Sequence, residues 1–374
     1  MKVLHINSYF STSGLFNQLY NRQIQSGIDI DVYVPISYEY PEERLATSGD
    51  YTTVHRTFHQ FDRYIFHLKH NKILKDLLST YDFNEFDILH AHSLFSNGWL
   101  ARQIHKRYNI PYVVAVRNAD VRTFFQRMPW LRNMGLDILK NASKIVFISK
   151  NTYHEVYNNY IPQSLVNSFQ AKTDIIANGI DDFWLNNRYY RQNHSLSQPL
   201  RIISVGKVYA GKRFEALAEM VNEYNHIHPT ELHIVGPAWN QRITERLKQT
   251  PNVIYHGSKS KEELLQMYRE MDIFALLSSP ETFGLVYPEA MSQGLPVIYT
   301  KNEGFDSFFD NHLIGVSVEK TDTRGFTKAL DYIIKHYSRV SHNATASIDA
   351  FNWQVVSKKY LDIYQELLTK KENE

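Results

Sequence analysis

Cysteine is absent from the 374 residues. That excludes disulfides, thiolate metal sites and cysteine nucleophiles together, and it suits a reducing compartment. No window approaches the ~20 apolar residues of a membrane-spanning helix, so membrane contact is expected to be peripheral at most. The opening Met1-Lys-Val-Leu-His-Ile-Asn7 lacks the long apolar stretch and small-residue cleavage site of a secretory leader. A cytoplasmic location is the expectation, with any membrane contact peripheral and at the inner face. Excess charge is missing too: 41 basic residues against 39 acidic leave +2, too little for the basic face of a nucleic-acid binder. What is present is an ordinary globular balance, 43% hydrophobic and 21% charged, in a chain too long for one core, so two domains are expected. Aromatics are abundant, with 25 tyrosines and 21 phenylalanines.

Short apolar runs alternate with longer helical stretches, the rhythm of βα units around a parallel sheet. The runs are 2–6, 31–34, 87–90, 112–116, 144–148 and 173–176, each rich in Val and Ile and read as strands buried on both faces. A polar stretch, 188–199, reads as a linker. The rhythm then restarts at 201–205, 231–235, 253–256, 272–276 and 296–299. Near the end, Trp353, Val356, Tyr360, Ile363, Tyr364 and Leu367 recur at helical spacing and predict an amphipathic helix.

Two passages carry chemistry. In Ser278–Pro296, a buried strand runs into a loop bearing Pro280, Glu281 and Gly284, and a helix starts near Leu285. Strand-to-helix loops in α/β proteins bind anions through free amides and the helix dipole. Glu289, one turn into that helix, can accept hydrogen bonds from the paired hydroxyls of a ribose or hexose; alone it would read as a dipole-favoured acid worth ~0.3–1 kcal/mol. The second passage, Ser204–Phe214, leaves a strand through Gly206 and supplies Lys207 and Lys212. Two cations there suit a departing diphosphate, on which negative charge grows; alone they would read as a solvated basic loop.

These residues resemble glycosyltransferase family 4, a retaining family with the GT-B fold. Glu281 and Glu289 match its E-x7-E element; Gly206, Lys207 and Lys212 match its Gly-Arg-(x4)-Lys-Gly element, with lysine for arginine at 207 and Arg213 for the final glycine. The resemblance implies two Rossmann-like parallel-sheet domains facing a central cleft, with the last helix crossing back to the first domain. The acceptor-side domain is placed at 1–188 plus 352–374 and the donor domain at 189–351. By resemblance, Lys207 and Lys212 bind the donor phosphates, Glu289 the ribose, and Glu281 the transferred sugar. Backbone at Phe283, Gly284, Leu285 and Val286 would touch sugar and phosphates, with Ser258 and Lys259 beside the base. A UDP-sugar is the implied co-substrate, with no cofactor and no metal. The implied activity is hexosyl or N-acetylhexosaminyl transfer to a glycan, lipid-linked or protein acceptor in envelope polysaccharide synthesis. A non-hydrolysing nucleotide-sugar epimerase and a non-catalytic glycan-recognition subunit are the competing readings; this chain keeps both lysines and both glutamates.

The first half departs further from the family. One glycine, Gly14, stands in the loop after the first strand, where the family often has two. Arg117-Asn118-Ala119-Asp120 replaces the family's histidine-bearing loop. Asp120 keeps its place and is carried over as catalytic, but a guanidinium is no general base at pH 7. Arg117 then either pairs with Asp120 or, with Asn118, faces an anionic acceptor. His92 is a candidate acceptor-side residue. His90-Ala-His92 invites a metal, yet no third ligand stands near in sequence, so none is expected. Two basic aromatic stretches remain. His55–Lys75 reads as core-capping, whereas Arg122–Arg132 divides evenly between capping a core and resting on an anionic membrane.

Overall fold

The computed structural model describes residues 1–192 and 194–372. The chain divides into two units, Met1–Ala177 with the C-terminal segment from Trp353, and Asn178–Asn352. The first unit holds seven strands: β1 (Lys2–Ile6), β2 (Asp29–Ser37), β3 (Thr52–Phe58), β4 (Ile88–Ala91), β5 (Tyr112–Val116), β6 (Lys144–Phe147) and β7 (Thr173–Ile175). They form one parallel sheet in the order β3-β2-β1-β4-β5-β6-β7. Consecutive side chains supply opposite faces. Val3, Ile88 and Val113 enter one core with the helix Asn17–Gln25, while Leu4, Leu89 and Val114 enter another with Leu100 and Ile138. Burial on both faces is why these strands read as continuous apolar runs.

The last helix, Trp353–Glu372, belongs to the first unit. All six residues expected on its apolar face are buried there, none more than 6% exposed. Tyr364 goes further and reaches across to His90 at 2.6 Å.

The second unit repeats the plan with β8 (Leu200–Val205), β9 (Thr230–Val235), β10 (Val253–Tyr255), β11 (Ile273–Leu276), β12 (Val297–Thr300) and β13 (Gly315–Val318), ordered β10-β9-β8-β11-β12-β13 and all parallel. Two of the thirteen strands among the described residues escape the sequence reading. β3 is a half-buried edge strand in which Thr, His and Arg dilute the apolar signal, and β13 is a four-residue edge strand opening on glycine.

The boundary also differs. The first unit ends at Ala177, not at 188, because the intervening residues are bound into the second unit. Trp184 is buried beside Tyr268 at 5.6 Å, and the Asn187 carbonyl accepts from both Gln293 and Arg269. Nor is 188–199 a free linker. Arg191 within it is buried and donates to the carbonyls of Tyr268, Met271 and Gln293, strapping the segment to the second unit. Among the described residues no helix is long and apolar enough to cross a membrane.

Candidate functional site

In an open parallel sheet, ligands bind beyond the carboxyl ends of the strands where the strand order reverses, because the loops there diverge and leave a crevice. In the second unit that point lies between β8 and β11. The loop leaving β8 carries Gly206, Lys207 and Lys212, and the loop leaving β11 carries Ser278 and Glu281, so topology alone brings the two motifs together. They touch. Lys212 Nζ lies 2.6 Å from Glu281 Oε2, which also accepts from Ser278 Oγ at 2.7 Å, and Glu281 Oε1 accepts from the Thr282 amide. The two loops are tied further by the Ser279 amide donating to the Gly211 carbonyl.

Three details explain why the chain folds this way locally. Gly284 has φ +81°, and a Cβ there would strike the Tyr287 ring at 2.5 Å, so only glycine lets the loop turn into the helix Val286–Met291. Gly236, leaving β9, lies against the Gly206 carbonyl, where a Cβ would sit at 2.0 Å. Arg213, standing where the family has glycine, adopts the left-handed conformation glycine prefers, and its guanidinium bonds the Lys320 carbonyl.

Lys207 is exposed and rests its ammonium over the Trp239 ring at 3.9 Å. Glu289 keeps partial solvent access, yet desolvation pushes its carboxyl up to about 8, helped by Asp181 and opposed by Lys261. Phe283 turns its ring into a cluster with Phe305, Phe308 and Phe351, leaving its backbone at the loop. Leu285 and Val286 are half-buried at the helix start. Ser258 and Lys259 lie exposed beyond β10, and Lys259 pairs with Glu263 at 2.9 Å. A separate hollow of about 590 Å³, lined by His233, His256 and Lys259 among others, takes in no other member of the expected set.

Two site-edge residues went unnoticed in the sequence. Glu303, just past β12, accepts from the Glu281 amide at 2.8 Å and from Ser279 Oγ at 2.7 Å, fixing the loop that carries Glu281. Trp239 seats Lys207. The one signal for either is its position directly after a strand of this sheet.

The first unit reverses its strand order between β1 and β4. There the structure supplies the third histidine that sequence spacing withheld. His5 of β1 joins His90 and His92, all three buried, with one nitrogen of each within 4.8 Å of the others. They are engaged with one another and with tyrosines: His5 Nδ1 lies 3.0 Å from His92 Nε2, and His90 Nδ1 lies 2.6 Å from the Tyr364 hydroxyl. Burial holds all three rings far below the usual imidazole range, His5 at about 3, so they are neutral. His92 is thus enclosed rather than turned toward an acceptor.

Asp120 is also enclosed. Its carboxylate accepts from the amides of Leu94, Phe95 and Arg117, and burial raises it to about 6 despite those bonds. It shapes the loop instead of presenting an oxygen to a reactant. Arg117 donates through Nε to the His92 carbonyl and lies over Phe16, while Asn118 beside it is half-buried. At Gly14 a Cβ would meet only ordinary contacts, so nothing inside the unit demands glycine there. Of the two aromatic stretches, the evenly divided one turns mostly inward and the one expected to cap a core departs from that in part. In 122–132, Phe125 is fully buried and Phe124 stacks on Phe95 at 4.7 Å, leaving only Trp130 outward. In 55–75, Phe58 and Phe66 pack inward but Phe61 and Tyr64 do not.

Comparison with known proteins agrees with this geometry. The family model described as Glycosyltransferase Family 4 matches residues 16–182, and that of Glycosyl transferases group 1 matches 187–347. A D-inositol 3-phosphate glycosyltransferase from Corynebacterium jeikeium is 28% identical over 316 residues, 75% of this chain and 73% of that protein. Among solved structures, sucrose-phosphate synthase from Thermosynechococcus elongatus superposes with a TM-score of 0.76 at 17% identity, covering 99% of this chain and all of that one. Anabaena HepE, solved with UDP-glucose, gives 0.67 at 15% identity, over 98% of this chain and 100% of that one. Two Rossmann-like sheets with the family's charged motifs at the second switch point make this chain a GT-B glycosyltransferase of the family 4 type.

Proposed function

We propose that the enzyme is a retaining, metal-independent glycosyltransferase acting in cell-envelope glycan synthesis. It would move a hexosyl or N-acetylhexosaminyl group from a UDP-sugar to a glycan, lipid-linked or protein acceptor. The observation carrying this reading is the Lys212–Glu281 contact at the second switch point, with Lys207 in the same loop and Glu289 on the helix beyond. Lys212 and Lys207 meet the diphosphate as its charge grows, in the role a divalent cation would otherwise fill. Glu281, steadied by Ser278 and Glu303, faces the transferred sugar, and Glu289 takes the ribose hydroxyls. The C1–O bond to the diphosphate breaks while the acceptor oxygen bonds C1 from the same face, and its proton passes to the departing phosphate oxygen. UDP as the nucleotide draws support from the UDP-glucose held by Anabaena HepE.

Calorimetric titration with UDP, GDP and ADP, followed by product NMR with and without chelator, tests the reading. UDP binding, an α-product from an α-donor and activity in excess chelator are expected. Inversion, or a magnesium-reversible loss, overturns the corresponding part.

A further inference from the structure

The first unit turns one apolar and cationic surface outward. Phe61 and Tyr64 are 82% and 83% exposed, Ile65 59% and Leu68 44%. Single exposed apolar side chains need no explanation, but four large ones within eight residues do. Their spacing is i, i+3, i+4, i+7, yet the backbone is not one helix. Gln60–Tyr64 is a 3-10 turn, Ile65 is extended, and a helix opens at Phe66.

The turn is braced from beneath. Asp62 is buried, accepts from the His59 amide, and pairs with Lys72 at 2.7 Å. Phe66 stacks on His70 at 3.9 Å and meets Phe124 at 5.8 Å. The exposed tips therefore stand on a fixed base. Residues 60–75 carry Arg63, Lys69, Lys72 and Lys75 against Asp62 alone, a balance of 4 − 1 = +3, and that one carboxylate is taken up by Lys72. The segment leaves the carboxyl end of β3, the sheet edge from which the loops bearing Gly14, His92 and Arg117 also emerge.

We propose that this segment is a docking surface for an anionic lipid bilayer. Phe61, Tyr64, Ile65 and Leu68 enter the headgroup boundary, and the exposed Arg63 and Lys75 meet the lipid phosphates, while the Lys69 ammonium stays seated over the Phe58 ring at 4.5 Å. Apolar tips framed by cations bind such interfaces through both terms at once, the ionic one screened by salt. Docking at this edge holds the acceptor side of the unit against the surface where a lipid-linked acceptor resides. That last step rests on the transferase reading; the docking does not.

The test is flotation of the full chain with vesicles of phosphatidylcholine alone or with added phosphatidylglycerol, at low and high salt. The wild type is expected to float with the anionic vesicles at low salt and less at high salt. A Phe61→Ser, Tyr64→Ser, Leu68→Ser variant is expected to float at least about tenfold less. An Arg63→Gln, Lys75→Gln variant loses most of the salt-sensitive part. Thermal unfolding and UDP titration of each variant separate the outcomes: a wild type that floats but ignores UDP keeps the docking and sinks the transferase reading. A wild type that stays in the soluble fraction at low salt, or a folded triple variant that floats as well as wild type, overturns the docking.

Discussion

Both sheets reverse their strand order at a corresponding place, between β1 and β4 in the first unit and between β8 and β11 in the second, yet the two places are built of different chemistry. At the second, side chains of opposite charge meet while keeping solvent access, Lys212 at 17% and Glu281 at 11% side-chain exposure. At the first, His5, His92 and Tyr20 close over one another with none more than 1% exposed. Strand order fixes where a site can be; the residues leaving the strands decide whether that place binds a ligand or is packed shut. A charged pair with solvent access can exchange its partner for a phosphate. A sealed group of neutral rings can only hold its loops in place.

The sharpest way to break this comparison is to remove the charge at the second switch point. Lys212→Ala is expected to weaken UDP binding by ~1.5–3 kcal/mol, one charge-assisted contact, and to lower kcat by about 100-fold or more, as for loss of a transition-state donor. Glu281→Gln removes the charge but keeps the side chain's size and one acceptor oxygen for the Thr282 amide, while the Ser278 hydroxyl can turn to accept from the new amide nitrogen, and it should lower kcat more than it raises KM. Calorimetry and steady-state kinetics read both. Unchanged UDP affinity in Lys212→Ala would falsify the phosphate role of this loop.

The two units should also answer acid differently. His5 and His70 sit near 3, and His90 and His92 lie well below their ordinary 6.5. Each is neutral in the folded unit and takes up a proton on unfolding below about 6.5. Their contribution is therefore fully present above that pH and is lost as pH falls toward 3, at ~1.4 kcal/mol per pH unit for each proton. Asp120, raised to about 6, opposes them with a single proton. In the second unit Glu289, raised to about 8, has the opposite sign, its contribution being present below 4.5 and lost as pH rises through 8. The depressed His233 and His256 partly offset it. Hydrogen exchange resolved by unit, between pH 7.5 and 5, should show the first unit losing protection much faster. Equal slopes would mean the histidines are not neutral in the folded chain.

How much of this was legible in sequence follows from the same contrast. The meeting of the two charged loops was readable because charged and glycine residues at strand exits are rare in a core and have few structural explanations. The amphipathic last helix was readable because its six apolar positions share one face. The histidine group was not, since His5 and His90 meet only through the β1–β4 register, 85 positions apart in the chain. The unit boundary was missed because 188–199 looks polar while Arg191 within it binds backbone carbonyls that carry no sequence signal. The outward patch at 61–68 was read as core because helical spacing of apolar residues does not say which side is covered.

A smaller effect is expected from titration at Glu289. Its carboxyl is raised to about 8, so at pH 7 it is largely protonated, whereas a ribose diol donating two hydrogen bonds favours the ionised form. UDP affinity should rise from pH 6.5 to 8.5 with release of a proton, read as a buffer-dependent binding enthalpy. Glu289→Gln should bind UDP more weakly and flatten that dependence. A flat profile in the wild type would detach Glu289 from the ribose.

The smallest effect should come from Trp239, which also separates the two lysines. Lys207 and Lys212 leave the same strand but are held differently, Lys212 by a carboxylate and Lys207 by the face of an indole. An ammonium over an exposed indole gains ~0.5–1 kcal/mol, and Trp239 is itself 66% exposed. Trp239→Ala therefore leaves Lys207 charged and in the same loop but no longer pre-positioned. UDP binding should weaken by about twofold to fivefold, the range that energy corresponds to. The Lys207→Ala variant should lose more, because it removes the charge itself. In a double variant the Trp239 change should cost nothing further, since the ring acts only through the ammonium it seats. A Trp239→Ala penalty that persists in the Lys207→Ala background would show that the indole meets the nucleotide directly, by stacking, and would move it from positioning the lysine to contacting the ligand.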